Sequence, residues 1–249
     1  MTSGPVRVDL GCGSAKREGF IGLDFVEGPQ VDHVVDLTAE RFPFEDATVD
    51  EVFSAHFLEH IESPNHVMSE IGRICKDGAR IEFWTPYAFS EEGFLYGHLH
   101  YLTEEPWMHF CVSHRDFFAA MLGGRWLLHR VNYVVPPATK AELDAYGLPI
   151  EFAIKYLKGV VYEFGVEIEF RRDLAHAVVV PTRSWSTTRF GERTSFENAA
   201  SPLGFLSATG VGSGLAKMSK ATKASPGLRR LASHLPERVK TQIRRVANG

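Results

Sequence analysis

Three kinds of residue in this sequence could do chemistry. The first is a glycine-rich loop, Val8-Asp9-Leu10-Gly11-Cys12-Gly13, which closes an apolar run. Glycines there let backbone approach a ligand closely. The second is a pair of acids, Asp24 and Asp36, each ending a short apolar stretch downstream. A carboxylate at the first position can accept both hydroxyls of a ribose; one at the second can accept from an adenine amino group. Asp24 follows Gly13 by 11 residues, and Lys16 stands where the third glycine of G-x-G-x-x-G would fall. A dinucleotide-binding unit would space loop and acid by about 20 residues. The third kind is histidine, suited to proton transfer near neutrality. His56, His98 and His100 are the candidate general bases. His98 and His100 would point the same way if their segment were a strand. Glu59 and His60 would share a face with His56 if a helix begins there. Tyr87, Tyr96 and Tyr101 could line an acceptor pocket. No metal is expected. The cysteines, Cys12, Cys75 and Cys111, lack C-x-x-C spacing, and histidines in a polar aromatic loop commonly line a surface or pocket.

The elements that must position these groups follow from periodicity. Residues 6–10, 20–24, 33–37, 49–55 and 79–85 read as strands, and 65–75 carries apolar residues at helical spacing. Lys76-Asp77-Gly78 is a helix-stop and turn signal. The first crossover, 14–19, is too short for the usual helix between parallel strands. The alternation predicts an α/β fold: a doubly wound, mostly parallel Rossmann-like sheet with a shortened first crossover and an antiparallel C-terminal strand. Beyond Pro86 the pattern predicts a helix over 113–122 capped by Ser113, a strand over 126–135, and a helix over 139–158 broken near Gly147-Leu148-Pro149. The last strands are expected at 166–170 and 177–180. Residues 1–182 then form one domain with 88–160 as substrate cap, 183–225 a flexible linker, and 226–249 a basic amphipathic helix.

Bulk properties narrow the function. The net charge of −4 conceals an acidic body, −13 over 1–181, and a basic tail, +9 over 182–249. An acidic body opposes phosphate binding, so nucleic acid is not the expected partner. The basic tail, with an apolar stripe at Leu228, Leu231, Leu235, Val239, Ile243 and Val246, fits peripheral contact with an anionic membrane. The absence of a signal-like N-terminus, of long apolar runs and of paired cysteines leads us to expect a cytoplasmic protein.

The ordered series Asp9-Leu10-Gly11-Cys12-Gly13, Gly22-Leu23-Asp24, Asp36-Leu37, Pro43-Phe44-Glu45-Asp46, His56-Phe57-Leu58-Glu59-His60 and Glu70-Ile71-Gly72-Arg73 is far more specific than the loop alone. It resembles the class I S-adenosylmethionine-dependent methyltransferases, in the methyltransferase type 11 branch. The resemblance is close over residues 5–87 and fades through 88–181. It implies S-adenosyl-L-methionine as cofactor. Gly11 and Gly13, with Asp9 and Cys12 of the same loop, would pass under its methionine part. Asp24 would hold the ribose, Asp36 and the Leu37 backbone the adenine, and Ala55 and His56 would sit near the methionine end. It also implies a small-molecule, glycan or lipid-linked acceptor, with a saccharide or natural-product hydroxyl as the expected methyl acceptor. The rival expectation is a non-catalytic module that keeps the fold while the tail recruits a partner or membrane.

Overall fold

A computed structural model describes residues 4–196. Among these residues nine strands form one sheet in the order β3-β2-β1-β4-β5-β7-β6-β8-β9. The strands are β1 (Arg7–Leu10), β2 (Ile21–Asp24), β3 (His33–Val34), β4 (Val49–Ala55), β5 (Cys75–Pro86), β6 (Arg125–Val134), β7 (Glu163–Arg171), β8 (Thr182–Ser186) and β9 (Thr194–Ser195). The first five run parallel, β7 is antiparallel to both its neighbours, β8 is parallel to β6, and β9 is antiparallel to β8. This is a Rossmann-like sheet, as expected, with two reversed strands. The order turns back at β1 and β4, and in open α/β sheets ligands bind at the carboxyl ends of such a switch point.

The helices are α1 (Asn65–Ile74), α2 (Glu104–Met108), α3 (Arg115–Leu122), α4 (Pro137–Ala145) and α5 (Ile150–Tyr156). Their buried residues, including Ile71, Trp107, Leu122, Leu143 and Ile154, join one cluster with Leu10, Val52, Phe83 and Val166 of the sheet. The opposite face carries a separate small cluster of Phe53, Trp84 and Val134, flanked by Phe20 and Ala55. Among the described residues the winding is therefore lopsided, with every helix on one face. The short crossovers contribute: neither 14–19 nor the 25–32 link from β2 to β3 carries a helix. Arg17 fills part of that gap, its guanidinium about 5 Å from the rings of Phe20, Phe53 and Phe190 and 2.8 Å from Glu82.

Several boundaries differ from the sequence reading. The 33–37 strand shortens to two residues, because Asp36 folds back on Thr38. Helix α1 stops just before Lys76-Asp77-Gly78, as expected, but those residues form no turn ahead of the strand: β5 already begins at Cys75. Cys75 pairs with Val49 and Arg80 with Glu51, so the turn signal is spent on a bulge within one continuous strand. Arg172 closes the end of α1 there, donating to the carbonyls of Arg73 at 3.0 Å and Cys75 at 2.6 Å. Ser113 does not cap α3; it lies inside a π-turn, His109–Ser113, that leads into the helix. The helical stretch breaks at Gly147–Pro149 as expected. Residues 177–180 form no strand.

The boundary placed at 182/183 is corrected. Thr182–Ser186 is a sheet strand, and Arg183 is 4% exposed, with two nitrogens on buried Glu104. A composition rich in Ser, Thr and Arg resembled a linker because this strand's core contact is an ion pair. The remainder of the expected linker, from 197, and the expected basic helix at 226–249 lie outside the described residues. Among the described residues no helix is long and apolar enough to cross a membrane.

Candidate functional site

The glycine loop sits at the carboxyl end of β1, at the switch point. Gly11 adopts φ +67°, and a Cβ there would lie 2.6 Å from the Phe57 ring. Gly13 adopts φ +51°, but a Cβ there would meet nothing within 4 Å. One glycine is required by packing; the other borders open space, as a cradle for a ligand does. The Gly13 amide donates to Asp24 Oδ2 at 2.9 Å, and Val26 N donates to Oδ1 at 3.0 Å. The ribose-binding candidate is thereby fixed against the loop. Asp36 is exposed just past β3, with one carboxylate oxygen taken by Thr38. Those hydrogen bonds hold its carboxyl below the usual range. Leu37 is buried, leaving only its backbone for a ligand.

The missing third glycine is compensated by charge. Lys16 reaches Asp32 at 2.7 Å, and Asp32 accepts from Gly22 N at 2.7 Å. Arg17 N donates to Asp9 Oδ2 at 2.8 Å. Asp9 is 2% exposed, and burial pushes its carboxyl up to about 6, against the pull of Arg17, Lys16 and Arg189. Cys12 is buried with its thiol raised to about 11 by burial and the nearby Asp9 and Asp24 carboxylates, so it packs and does not react.

His56 follows Ala55 at the end of β4, its amide donating to the Trp84 carbonyl at 2.9 Å. Its Nε2 lies 2.8 Å from Glu163 Oε2 and its Nδ1 3.4 Å from Glu59 Oε1. Burial pulls its pKa down, but the two carboxylates outweigh that and raise it to about 9. A ring bracketed by two acids has no free lone pair, so this geometry opposes His56 as general base. It is a clamped cation instead. Glu163 also takes Arg189, with Nη2 on Oε2 at 2.6 Å; burial raises its pKa, but His56 and Arg189 bring it below the ordinary value.

The cap candidates separate. Residues 98–100 form no strand, so His98 and His100 do not point together. His100 Nε2 is 2.8 Å from the Ile61 carbonyl, a scaffolding contact. His98 stacks edge-on against His60, ring centroids 4.7 Å apart. Tyr87 is 8% exposed and packs in the main core, edge to Tyr133 and Phe164. Tyr96 and Tyr101 are exposed, with Phe89, Phe94, Leu95 and Leu99, on one short stretch of the cap. Glu163 and Arg189 escaped the sequence reading. Glu163 has no motif around it, and Arg189 lay within the stretch read as linker.

A glycine cradle at the switch point, an acid fixed against it and a second acid past β3 thus gather at the carboxyl ends of the strands of a Rossmann-like sheet. Residues 21–83 match the family model described as "Methyltransferase domain". The match is consistent with a class I methyltransferase of the type 11 branch, and S-adenosylmethionine is the cofactor of such a domain. No curated protein matches the sequence. Solved structures similar in fold include a SAM-dependent methyltransferase from Archaeoglobus fulgidus (17% identity, 67% of this chain and 86% of that chain, TM-score 0.48). Another is an S-adenosylmethionine-dependent methyltransferase from Mesorhizobium loti (16%, 67% and 91%, TM-score 0.41). The [4+2]-cyclase SpnF is similar to a like degree (16%, 69% and 77%, TM-score 0.45).

Proposed function

We propose that this chain transfers the methyl group of S-adenosylmethionine to a hydroxyl of a saccharide, glycolipid or natural-product acceptor. The observation that carries the cofactor half is the open face at Gly13, whose amide is tied to Asp24. Bound there, the cofactor supplies a methyl group already activated on a sulfonium. The chain's task is to bind, orient and exclude water. Gly11 and Gly13 give the backbone approach, Asp24 offers its carboxylate to the ribose, and Asp36 and the Leu37 backbone meet the base. His56, held between Glu59 and Glu163, is a positioning residue at the methionine end. The exposed aromatic stretch from Phe89 to Tyr101 supports an acceptor with apolar faces, since aromatic rings stack on sugars and natural-product rings.

Calorimetry with S-adenosylmethionine tests the cofactor half. Folded protein that binds none overturns the reading, and Asp24→Ala is expected to abolish binding. The acceptor half is tested by transfer of labelled methyl groups to an extract of the source cells. A hydroxyl acceptor gives an ether whose label survives mild alkali. Label released as methanol identifies a carboxylate acceptor and rejects the proposal.

A further inference from the structure

We infer that Glu59, His60 and His98 form a binding site for a divalent transition-metal ion, zinc by the chemistry of the donors. The inference stands apart from the methyl-transfer reading. Glu59 is 1% exposed, yet neither carboxylate oxygen has a hydrogen-bond partner. Its contact with His56 at 3.4 Å is an ion-pair distance without hydrogen-bond geometry. A buried carboxylate left so incompletely satisfied is costly, and its presence asks for a missing partner. Nδ1 of His98 is also buried without a partner. One donor atom from each of Glu59, His60 and His98 lies within 4.8 Å of the others.

The scaffold holds this cluster together. Leu99 N donates to the Glu59 carbonyl at 2.7 Å, tying the cap segment to the turn after β4. His60 Nδ1 faces the Gly97 carbonyl at 3.3 Å. That contact leaves the Nε2 lone pair for a metal, in the manner of ligating histidines whose second nitrogen donates to a carbonyl. Two imidazoles and one carboxylate suit zinc or its neighbours, whereas magnesium and calcium prefer all-oxygen sets. Zinc bonds of about 2.0–2.2 Å at tetrahedral angles put donors about 3.4 Å apart. The three donors lie within 4.8 Å of one another, so the cluster draws together by up to about 1.4 Å on binding, to which a turn of the exposed His60 ring contributes. An ion there would join the turn after β4 to the cap, and it assigns His98 to a ligand role instead of that of a base. The sequence reading expected no metal because the cysteines lack C-x-x-C spacing and the cap histidines read as surface or pocket lining; α1, β5 and the following loop separate Glu59 and His60 from His98.

The test uses the full-length, untagged chain, stripped with chelator and dialysed against zinc. One equivalent of retained zinc is expected by elemental analysis. Cobalt substitution should give the visible absorption of a low-coordinate nitrogen and oxygen site. Competition with a chromophoric chelator should show affinity falling at least tenfold in Glu59→Gln, His60→Asn and His98→Asn, each checked for fold by circular dichroism. His60→Asn is an exposed change and guards against simple unfolding. The His109→Asn/His114→Asn double variant, removing a second close histidine pair, should bind as the parent does. No stoichiometric zinc, zinc retained unchanged in folded His60→Asn and His98→Asn, or zinc lost in the control variant would each overturn the site.

Discussion

Asp9→Asn should make this protein more stable at neutral pH while weakening its hold on the cofactor. Asp9 is 2% exposed and accepts one backbone hydrogen bond, from Arg17 N at 2.8 Å. Burial raises its carboxyl from the ordinary 3.8 to about 6. A folded pKa above the unfolded one means that the native state holds a proton the unfolded chain has released. Stability contributed by Asp9 is thus fully present below the unfolded value and falls as pH rises between about 4 and 6. Above 6 the penalty is constant. Two pKa units correspond to about 3 kcal/mol, an upper bound given the positive charges nearby. Asparagine keeps the volume and the acceptor for Arg17 N but carries no charge. Thermal unfolding at pH 7.5 should show Tm higher by as much as ~10 °C, at about 2–4 °C per kcal/mol for a domain of this size. At pH 4.5 the gap should shrink to roughly a third. Calorimetry should show S-adenosylmethionine binding more weakly, since the lost charge lies in the loop facing a cationic ligand. Equal Tm values at pH 7.5, or a gap that widens on acidification, would refute the reasoning.

Two further predictions concern the C-terminal part of the chain. Arg183→Met strands the buried Glu104 carboxylate, which keeps only the Tyr133 hydroxyl, and should cost about 3–5 kcal/mol in urea unfolding; the Arg183→Met/Glu104→Leu double variant should recover most of the loss, and a single-variant cost below about 1 kcal/mol would rule out the pair as a structural lock. The basic tail should carry full-length protein into anionic liposomes, with pelleting reduced by added salt and absent for a 1–196 protein; equal, negligible pelleting of both rejects the membrane reading.

The sheet was legible wherever burial is periodic. Val8, Leu10, Leu23, Val52, Ile81 and Phe83 announce strands because each is apolar and buried on the helix-bearing face. The glycine loop was legible for a different reason: the left-handed backbone at Gly11 and Gly13 and the close approach of Phe57 to Gly11 favour glycine there. Legibility failed where a polar pair replaces an apolar contact. Thr182–Ser186 looks like a linker because Arg183 anchors it through Glu104, far away in sequence. The histidines failed similarly. Residue type suggested a base at His56, but its protonation is decided by Glu163 from β7, a partner that no local spacing exposes.

That partner changes how the site is understood. His56 is not a glycine, yet it sits at φ +54°. Such a conformation costs of order 1 kcal/mol or more and persists only when its surroundings over-determine it. Here they do: Glu163 holds one ring nitrogen, Glu59 faces the other, and the amide is fixed on Trp84. Arg189 then balances Glu163 and lies close enough to Asp9 to lower its pKa. A single line of alternating charge therefore runs from Glu59 through His56 and Glu163 to Arg189, and on to Asp9. The chain after β8 belongs to that line. It covers part of the second face of the sheet, with Phe190 against Phe53 and Trp84, where the first crossover carries no helix.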